Sequence, residues 1–193
     1  MTDCSDFNVH DAFKNLTLPE VNQIQKSESL PYAIGVVNLQ HSLNVGAMIR
    51  TAVIFGAEKV YIIGKRRYDK RSTVGAHNYI DIQFLEYDVT HPDDQILILS
   101  EISDEYQPVL IEQGGSDISV ENFQYYNHKP CFLFGCESTG LPESLIHIAK
   151  NYDGKLLSIA QIGVLRSLNV SVSCGIVCHK VAHDLRTMPK SWL

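Results

Sequence analysis

The chain predicts an α/β fold built on a mostly parallel sheet with helices on both faces. Two observations lead there. From Tyr32 onward, short β-branched apolar runs alternate with segments of helical spacing, which is the pattern of strands joined through helices. The chain also has 193 residues, 45% hydrophobic and 20% charged, which suits one soluble domain with a sizeable core better than two. Residues 1–30 lack clear periodicity and read as an N-terminal extension with a short helix around 11–16. Residues 31–193 form the domain.

Its elements follow in order. "YAIGVVN" is a strand and residues 45–57, "VGAMIRTAVIFGA", a helix. "KVYIIG" is a second strand, closed by Gly64 and a basic loop. "YIDIQFLEY" alternates as a strand should, and "DDQILILSEISDEY" has helical spacing. "PVLIEQ" is a strand, and "CFLFG" reads as the most buried of all. "PESLIHIAKNY" is a helix with Pro142 at its first position. "KLLSIA" is the last strand, and residues 168–186 the last helix, its buried face formed by Val170, Cys174, Val177, Val181 and Leu185.

Composition narrows the function classes. The acidic first residues do not read as a secretory signal, and no apolar run approaches the roughly 18–20 residues of a spanning helix. Five cysteines without framework-like spacing fit reduced cytosolic thiols. The expected location is cytoplasmic. A formal net charge of −6 weighs against a polyanionic partner. The segment "KRRYDKR" nevertheless gathers Lys65, Arg66, Arg67, Lys70 and Arg71 around a single acid. Taken alone it is a solvated loop; with an independent pointer to nucleic acid it becomes a phosphate-binding segment.

In parallel sheets ligands bind beyond the carboxyl ends of the strands, and three polar stretches fall there. In "NLQHSLN" and the helix after it, Asn44 suits an N-cap, while Arg50 stands in a helix that is apolar nearly all round and therefore expected to be buried. A buried ion pair would account for it, but desolvation makes a purely structural cation costly. A cation aimed at an anion or a developing oxyanion fits better. In "FGCESTGLPESL", Gly135 ends a strand where a ligand can approach the backbone, and Glu137 is the charge of the loop. In "IAQIGVLRSLNVSVS", Ser167 suits the helix cap, and Asn169, just inside, is a poor interior helix residue free to face the cleft. Arg166 adds a second cation to that corner.

Other constellations are weaker. Cys174 with Cys178 and His179 with His183 have helical i, i+4 spacing. The pairs are rotated apart, however, and read as core thiols beside solvent-facing histidines; no metal is expected. There is no G-x-G-x-x-G, phosphate-binding loop or G-x-S-x-G elbow. Cys136 has no histidine near it in sequence to make it a nucleophile.

At these three stretches the chain resembles a known family. "NVGAMIRTAVIFGA" is similar to the N-x-G-x-x-x-R-x-A…F-G motif of the SpoU (TrmH-like) RNA ribose methyltransferases, "LFGCESTGLP" to their G-x-E-x-x-G-L motif, and "IAQIGVLRSLNVSVS" to their I-P-x-x-G-x-x-x-S-L-N-V-S motif. The motifs stand in family order over residues 31–187. The resemblance implies a SPOUT-type domain with a C-terminal trefoil knot, a homodimer with active sites near the interface, and S-adenosylmethionine as cofactor. By position it assigns cofactor contacts to Gly135, Ile159 and Leu168, and polar active-site roles to Asn44, Arg50, Glu137, Ser167 and Asn169. Ala160 and Gln161 depart from the usual Pro-Met, and Cys136 from a common Asn.

The implied activity is methyl transfer to a ribose 2′-hydroxyl of tRNA or rRNA, tRNA the first choice, with the basic segment as RNA contact and without membrane or metal. Arg50, too basic to act as a base, is assigned to the incipient alkoxide and an adjacent phosphate. A catalytically silent RNA- or cofactor-binding protein of the same fold is the alternative. A cysteine hydrolase built on Cys136 stands behind both.

Overall fold

The computed structural model describes residues 8–39, 43–114, 118–124 and 128–188. The expectations placed on residues 1–7, 40–42 and 189–193 therefore lie outside the described residues. Helix α1 (Leu18–Ser27) precedes β1 (Leu30–Asn38), α2 (Leu43–Ile54), β2 (Ala57–Gly64), β3 (Asp81–Leu85) and α3 (Pro92–Ser103). Then come β4 (Gln107–Ile111), β5 (Ile118–Ser119), β6 (Pro130–Phe134), α4 (Glu143–Ala149), β7 (Lys155–Ser158) and α5 (Val170–Thr187). The strands form one seven-stranded sheet in the order β3-β2-β1-β6-β4-β7-β5. Every pairing is parallel, as the alternation of strands and helices requires.

Side-chain alternation along β1 divides the core into two layers. Tyr32, Ile34 and Val36 face a cluster with Met48, Ile49 and Ala52 of α2 and Cys174, Val177 and Val181 of α5. Ala33 and Val37 face Ile98, Leu99 and Ile102 of α3 and Leu145 and Ala149 of α4. The sheet is thus covered on both faces, which is why its central strands read as continuous apolar runs rather than alternating ones. The expected face of α5 is buried apart from half-buried Val170, and Cys174 and Cys178 are core thiols while His179 and His183 are exposed.

Three local expectations are corrected. Residues 11–16 form only a 3-10 turn at Asp11–Phe13, and the substantial helix of the extension is α1. Its start carries a T-x-x-E signature in which Glu20 accepts the backbone N–H (2.8 Å) and the hydroxyl (2.7 Å) of Thr17. Pro142 precedes α4 as its cap rather than opening it. The two-residue β5 was not expected, being too short to show alternation.

One glycine explains how the basic segment is seated. Residues 70–73 form a 3-10 turn capped by Asp69 that packs on α2 at Gly46, where an added Cβ would overlap Ser72 Oγ and come within 2.9 Å of its backbone carbonyl carbon. Gly46→Ala should cost about 1–3 kcal/mol by overpacking, despite the better helix propensity of alanine. Thermal denaturation checks this, and Ser72→Gly should partly restore the midpoint. An unchanged midpoint in Gly46→Ala would mean that the turn is free to move.

Candidate active site

The strand order brings the polar stretches together. β1, β6, β4 and β7 are consecutive neighbours in the sheet, and the chain leaves β1 toward β2 on one side but reaches β4 and β7 on the other. This reversal opens a crevice at the carboxyl ends. The segments after β1, β6 and β7 all end there.

Glu137 is the centre of the arrangement. Its Oε2 accepts a hydrogen bond from Asn44 Nδ2 at 2.6 Å, and its Oε1 accepts one from Asn169 Nδ2 at 2.7 Å. Asn169 Nδ2 also lies 3.4 Å from Asn44 Oδ1. One side chain from each polar stretch is therefore joined at a single carboxylate, by charge-assisted bonds of the stronger kind. Asn169 is additionally the N-cap of α5, its Oδ1 accepting from Ser171 N at 2.9 Å. The cap is thus Asn169 rather than Ser167, and the residue is held at both ends of its amide. Asn44 lies inside the first turn of α2 rather than at its cap.

A cavity of about 380 Å³ opens beside this cluster. Gly135, Glu137, Ile159, Ser167 and Leu168 line it together with Arg166. An adjoining cavity of about 240 Å³ reaches Asn44 and shares Gly135 and Glu137. Gly135 lines both cavities and is needed for a second, local reason as well. A Cβ there would overlap the Gly140 carbonyl carbon and Leu141 N, so the glycine lets the 136–141 turn fold back on its own strand.

The burial expected of Arg50 is not found. The residue is exposed and lines neither cavity. α2 buries Val45, Met48, Ile49 and Ala52, but its opposite side exposes Leu43 (65%) and Ile54 (64%) on either side of Arg50. The helix is apolar nearly all round, yet among the described residues only one side of it is covered.

The basic segment leaves the end of β2, outside both cavities. Asn38, fully buried at the end of β1, donates to the carbonyls of Lys65 (2.7 Å) and Arg67 (2.9 Å). Arg66 and Arg71 are engaged internally. Arg66 pairs with Glu86 at 3.0 Å and stacks 4.6 Å from the Phe84 ring centroid, while Arg71 chelates Asp69 and holds that carboxyl below its ordinary range through hydrogen bonds. Lys65, Arg67 and Lys70 are exposed.

Asn38 was passed over in the sequence because a strand-end asparagine has no local signature. The same holds for Glu112 and Gln113, which follow β4 and line the larger cavity.

Among the described residues no group of three or more histidine, cysteine or acidic side chains could hold a metal, and no helix is long and apolar enough to cross a membrane. A family model described as the SpoU rRNA Methylase family matches residues 31–179. The chain belongs to the SpoU rRNA methylase family. Solved structures agree on the SpoU fold. The A. aeolicus TrmH/SpoU tRNA modifying enzyme is 19% identical with a TM-score of 0.67, covering 91% of this chain and 89% of its own. An AdoMet-bound rRNA methyltransferase from Sinorhizobium meliloti is 24% identical with a TM-score of 0.64, over 86% of this chain and 60% of that one. A structure described as giving insight into 2-OH methylation of C/U34 on tRNA is 21% identical with a TM-score of 0.63, over 82% of this chain and 100% of that one. No curated protein matches.

Cys136, on the turn beside Glu137, is half-buried, and no histidine lines either cavity around it. Burial raises its thiol, but hydrogen bonds with Ser138 and Thr139 outweigh that and bring it below the ordinary cysteine value. Cys131, Cys174 and Cys178 are buried, and burial raises Cys131 strongly. Iodoacetamide should therefore label Cys136 first among the described cysteines in the native protein. Its rate should rise as pH climbs through the lowered thiol value. Peptide mass spectrometry reads this, and equal labelling of Cys131 would contradict the burial described.

Proposed function

We propose that this protein is an S-adenosylmethionine-dependent RNA methyltransferase acting on a ribose 2′-hydroxyl, with tRNA favoured over rRNA as substrate. The observation that carries the reading is the carboxylate of Glu137 joining Asn44 and Asn169, one residue from each family motif. Membership in the SpoU family supports the methyl-transfer chemistry. The tRNA preference is supported by a solved tRNA modifying enzyme whose chain is spanned almost completely.

The larger cavity fits the cofactor by its donor set. Ile111, Phe134, Ile159 and Leu168 offer apolar walls, and Glu137, Ser167 and Arg166 offer polar contacts, the mix that suits a nucleoside carrying a charged amino-acid tail. Gly135, Ile159 and Leu168 would hold it, and when bound it supplies an electrophilic methyl group on a sulfonium. Asn44 and Asn169 occupy both oxygens of Glu137, so Glu137 acts as the anchor that orients two amides. Ser167 faces the same cavity, where it can position the ribose. Arg50 supplies the planar fork for a phosphate and for the alkoxide that forms as the 2′-hydroxyl loses its proton, the phosphate accepting that proton.

An exposed Arg50 fits this role if a second copy covers it. Leu43 and Ile54 of α2 share their face of the sheet with Val172 and Ile176 of α5, both exposed, and Ile162, Val164 and Leu165 stand out on the segment after β7. An apolar patch of this kind marks an interface, and a homodimer closing on it would shield Arg50 at the site's edge. The knotted threading of the C-terminal segment belongs to the same reading, supported by Gln161, Arg166, Ser167 and Leu168, between β7 and α5, lining the cofactor cavity. A cytosolic location is supported by the free thiols of the described cysteines.

Arg50→Ala should leave cofactor affinity nearly intact and lower methyl transfer to RNA by at least ~100-fold, the worth of one oxyanion donor. Arg50→Lys should fail as well. Tritiated methyl transfer and calorimetry separate the two effects, with sedimentation equilibrium checking the dimer. Near-normal turnover in Arg50→Ala would end the assignment.

Reversing Lys65, Arg66 and Arg67 to glutamate tests the basic segment as the RNA contact. RNA affinity should fall, and the slope of log affinity against log salt should flatten by roughly 0.7–0.9 per lost phosphate contact. Because the Arg66–Glu86 pair is exposed, the melting temperature should hardly move. An unchanged slope would leave the segment a solvated turn.

A further inference from the structure

The end of β4 reaches both walls of the cofactor cavity at once. β4 lies between β6 and β7 in the sheet, and just past its last residue Glu112 N donates to Leu157 O of β7 at 3.1 Å. Glu112 then turns its side chain the other way, where Oε2 accepts the backbone N–H of Leu141 at 2.9 Å. Its other oxygen accepts Gln113 N at 3.0 Å, which fixes the carboxylate's rotation. The contact with the turn is close. Gly140 has φ +68, and a Cβ there would sit 2.5 Å from Glu112 Oε2, so the turn can lie against the carboxylate only with glycine at that position. Gln113 works in the opposite direction, its Nε2 donating to Ile159 O at 3.0 Å. Two consecutive side chains therefore grip the turn that carries Glu137 and the strand exit that carries Ile159.

We propose that Glu112 and Gln113 are positioning residues for the cofactor pocket, fastening the 136–141 turn and the β7 exit to the end of β4 so that Glu137 stays in reach of Asn44 and Asn169. The role rests on the cofactor reading given above. The turn closes on itself through Cys136 N to Gly140 O at 3.2 Å and Gly140 N to Cys136 O at 2.7 Å; those bonds set its internal shape but not its tilt against the sheet. Its tilt is set from outside, by Glu112. A shift of about 1 Å is enough to misplace a reacting group, and Glu137 sits at the exposed tip, where a change of tilt moves it most.

The test separates positioning from direct ligand contact. Amide hydrogen exchange by NMR, without cofactor, should show the Leu141 N–H protected in the wild type and exchanging at least about tenfold faster in Glu112→Ala, the scale of one lost charge-assisted bond. Glu112→Gln keeps an acceptor oxygen and should restore protection. Calorimetric affinity for S-adenosylmethionine should follow the same order, about tenfold weaker in Glu112→Ala and near wild type in Glu112→Gln. Gln113→Leu, which removes the donor to Ile159, should weaken affinity while leaving Leu141 protected, and it keeps the test alive should Glu112→Ala not fold. Unchanged exchange and affinity in Glu112→Ala would overturn the proposal. So would Glu112→Gln losing affinity with Leu141 still protected, because the carboxylate would then be meeting the ligand by its charge. If the wild type does not bind S-adenosylmethionine, the cofactor reading fails, and Leu141 exchange still decides whether the grip exists.

Discussion

The bonds from Asn44 and Asn169 to Glu137 are the constraint around which the rest of the site is arranged. The partners are separated by 93 and 32 positions along the chain, so no local preference could have brought them together. Each bond lies near solvent, and its net contribution to stability is on the order of 1–3 kcal/mol. Their importance is geometric. A carboxylate with both oxygens occupied cannot rotate without losing a partner, and the two amides point where the carboxylate directs them. Asn169 is fixed from behind as well, because its Oδ1 caps α5. The first turn of the last helix and the polar cluster around Glu137 are thus one unit.

The sheet supplies the platform for that unit. Four neighbouring strands end at the crevice, and the reversal of strand order beside β1 leaves room there that a continuous progression would close. Close packing of backbone on backbone does the rest. Gly46 admits the basic turn against α2, and Gly135 admits the Glu137 turn against its own strand. At both glycines protein atoms occupy the space a side chain would fill. Asn38 joins these pieces from below, tying the end of β1 to the basic segment through two carbonyls.

Much of this was legible in the chain. Strand and helix alternation, the buried thiols of α5 and the clustering of polar residues at strand ends all follow from period and burial, which are local properties. The T-x-x-E start of α1 was legible too, as a capping box, although weak apolar periodicity hid the helix behind it. The burial expected of Arg50 is not met, for a physical reason. Periodicity reports how apolar a helix is on each side, but not what covers it. A helix wrapped by its own domain and one awaiting a second surface have the same pattern, and here Leu43 and Ile54 remain uncovered beside the arginine.

Sequence alone determined the fold class, the order of the elements from β1 onward except β5, and the residue types held at the crevice, because each depends on spacing within a dozen residues or on a motif intact in the chain. Only the tertiary structure decided that Asn169 rather than Ser167 caps α5, that Glu137 anchors two amides, and that Glu112 and Gln113 grip opposite walls of one cavity. The last two depend on which strands lie side by side. Strand order is chosen by burial over the whole chain and leaves no trace in the local pattern of any one strand.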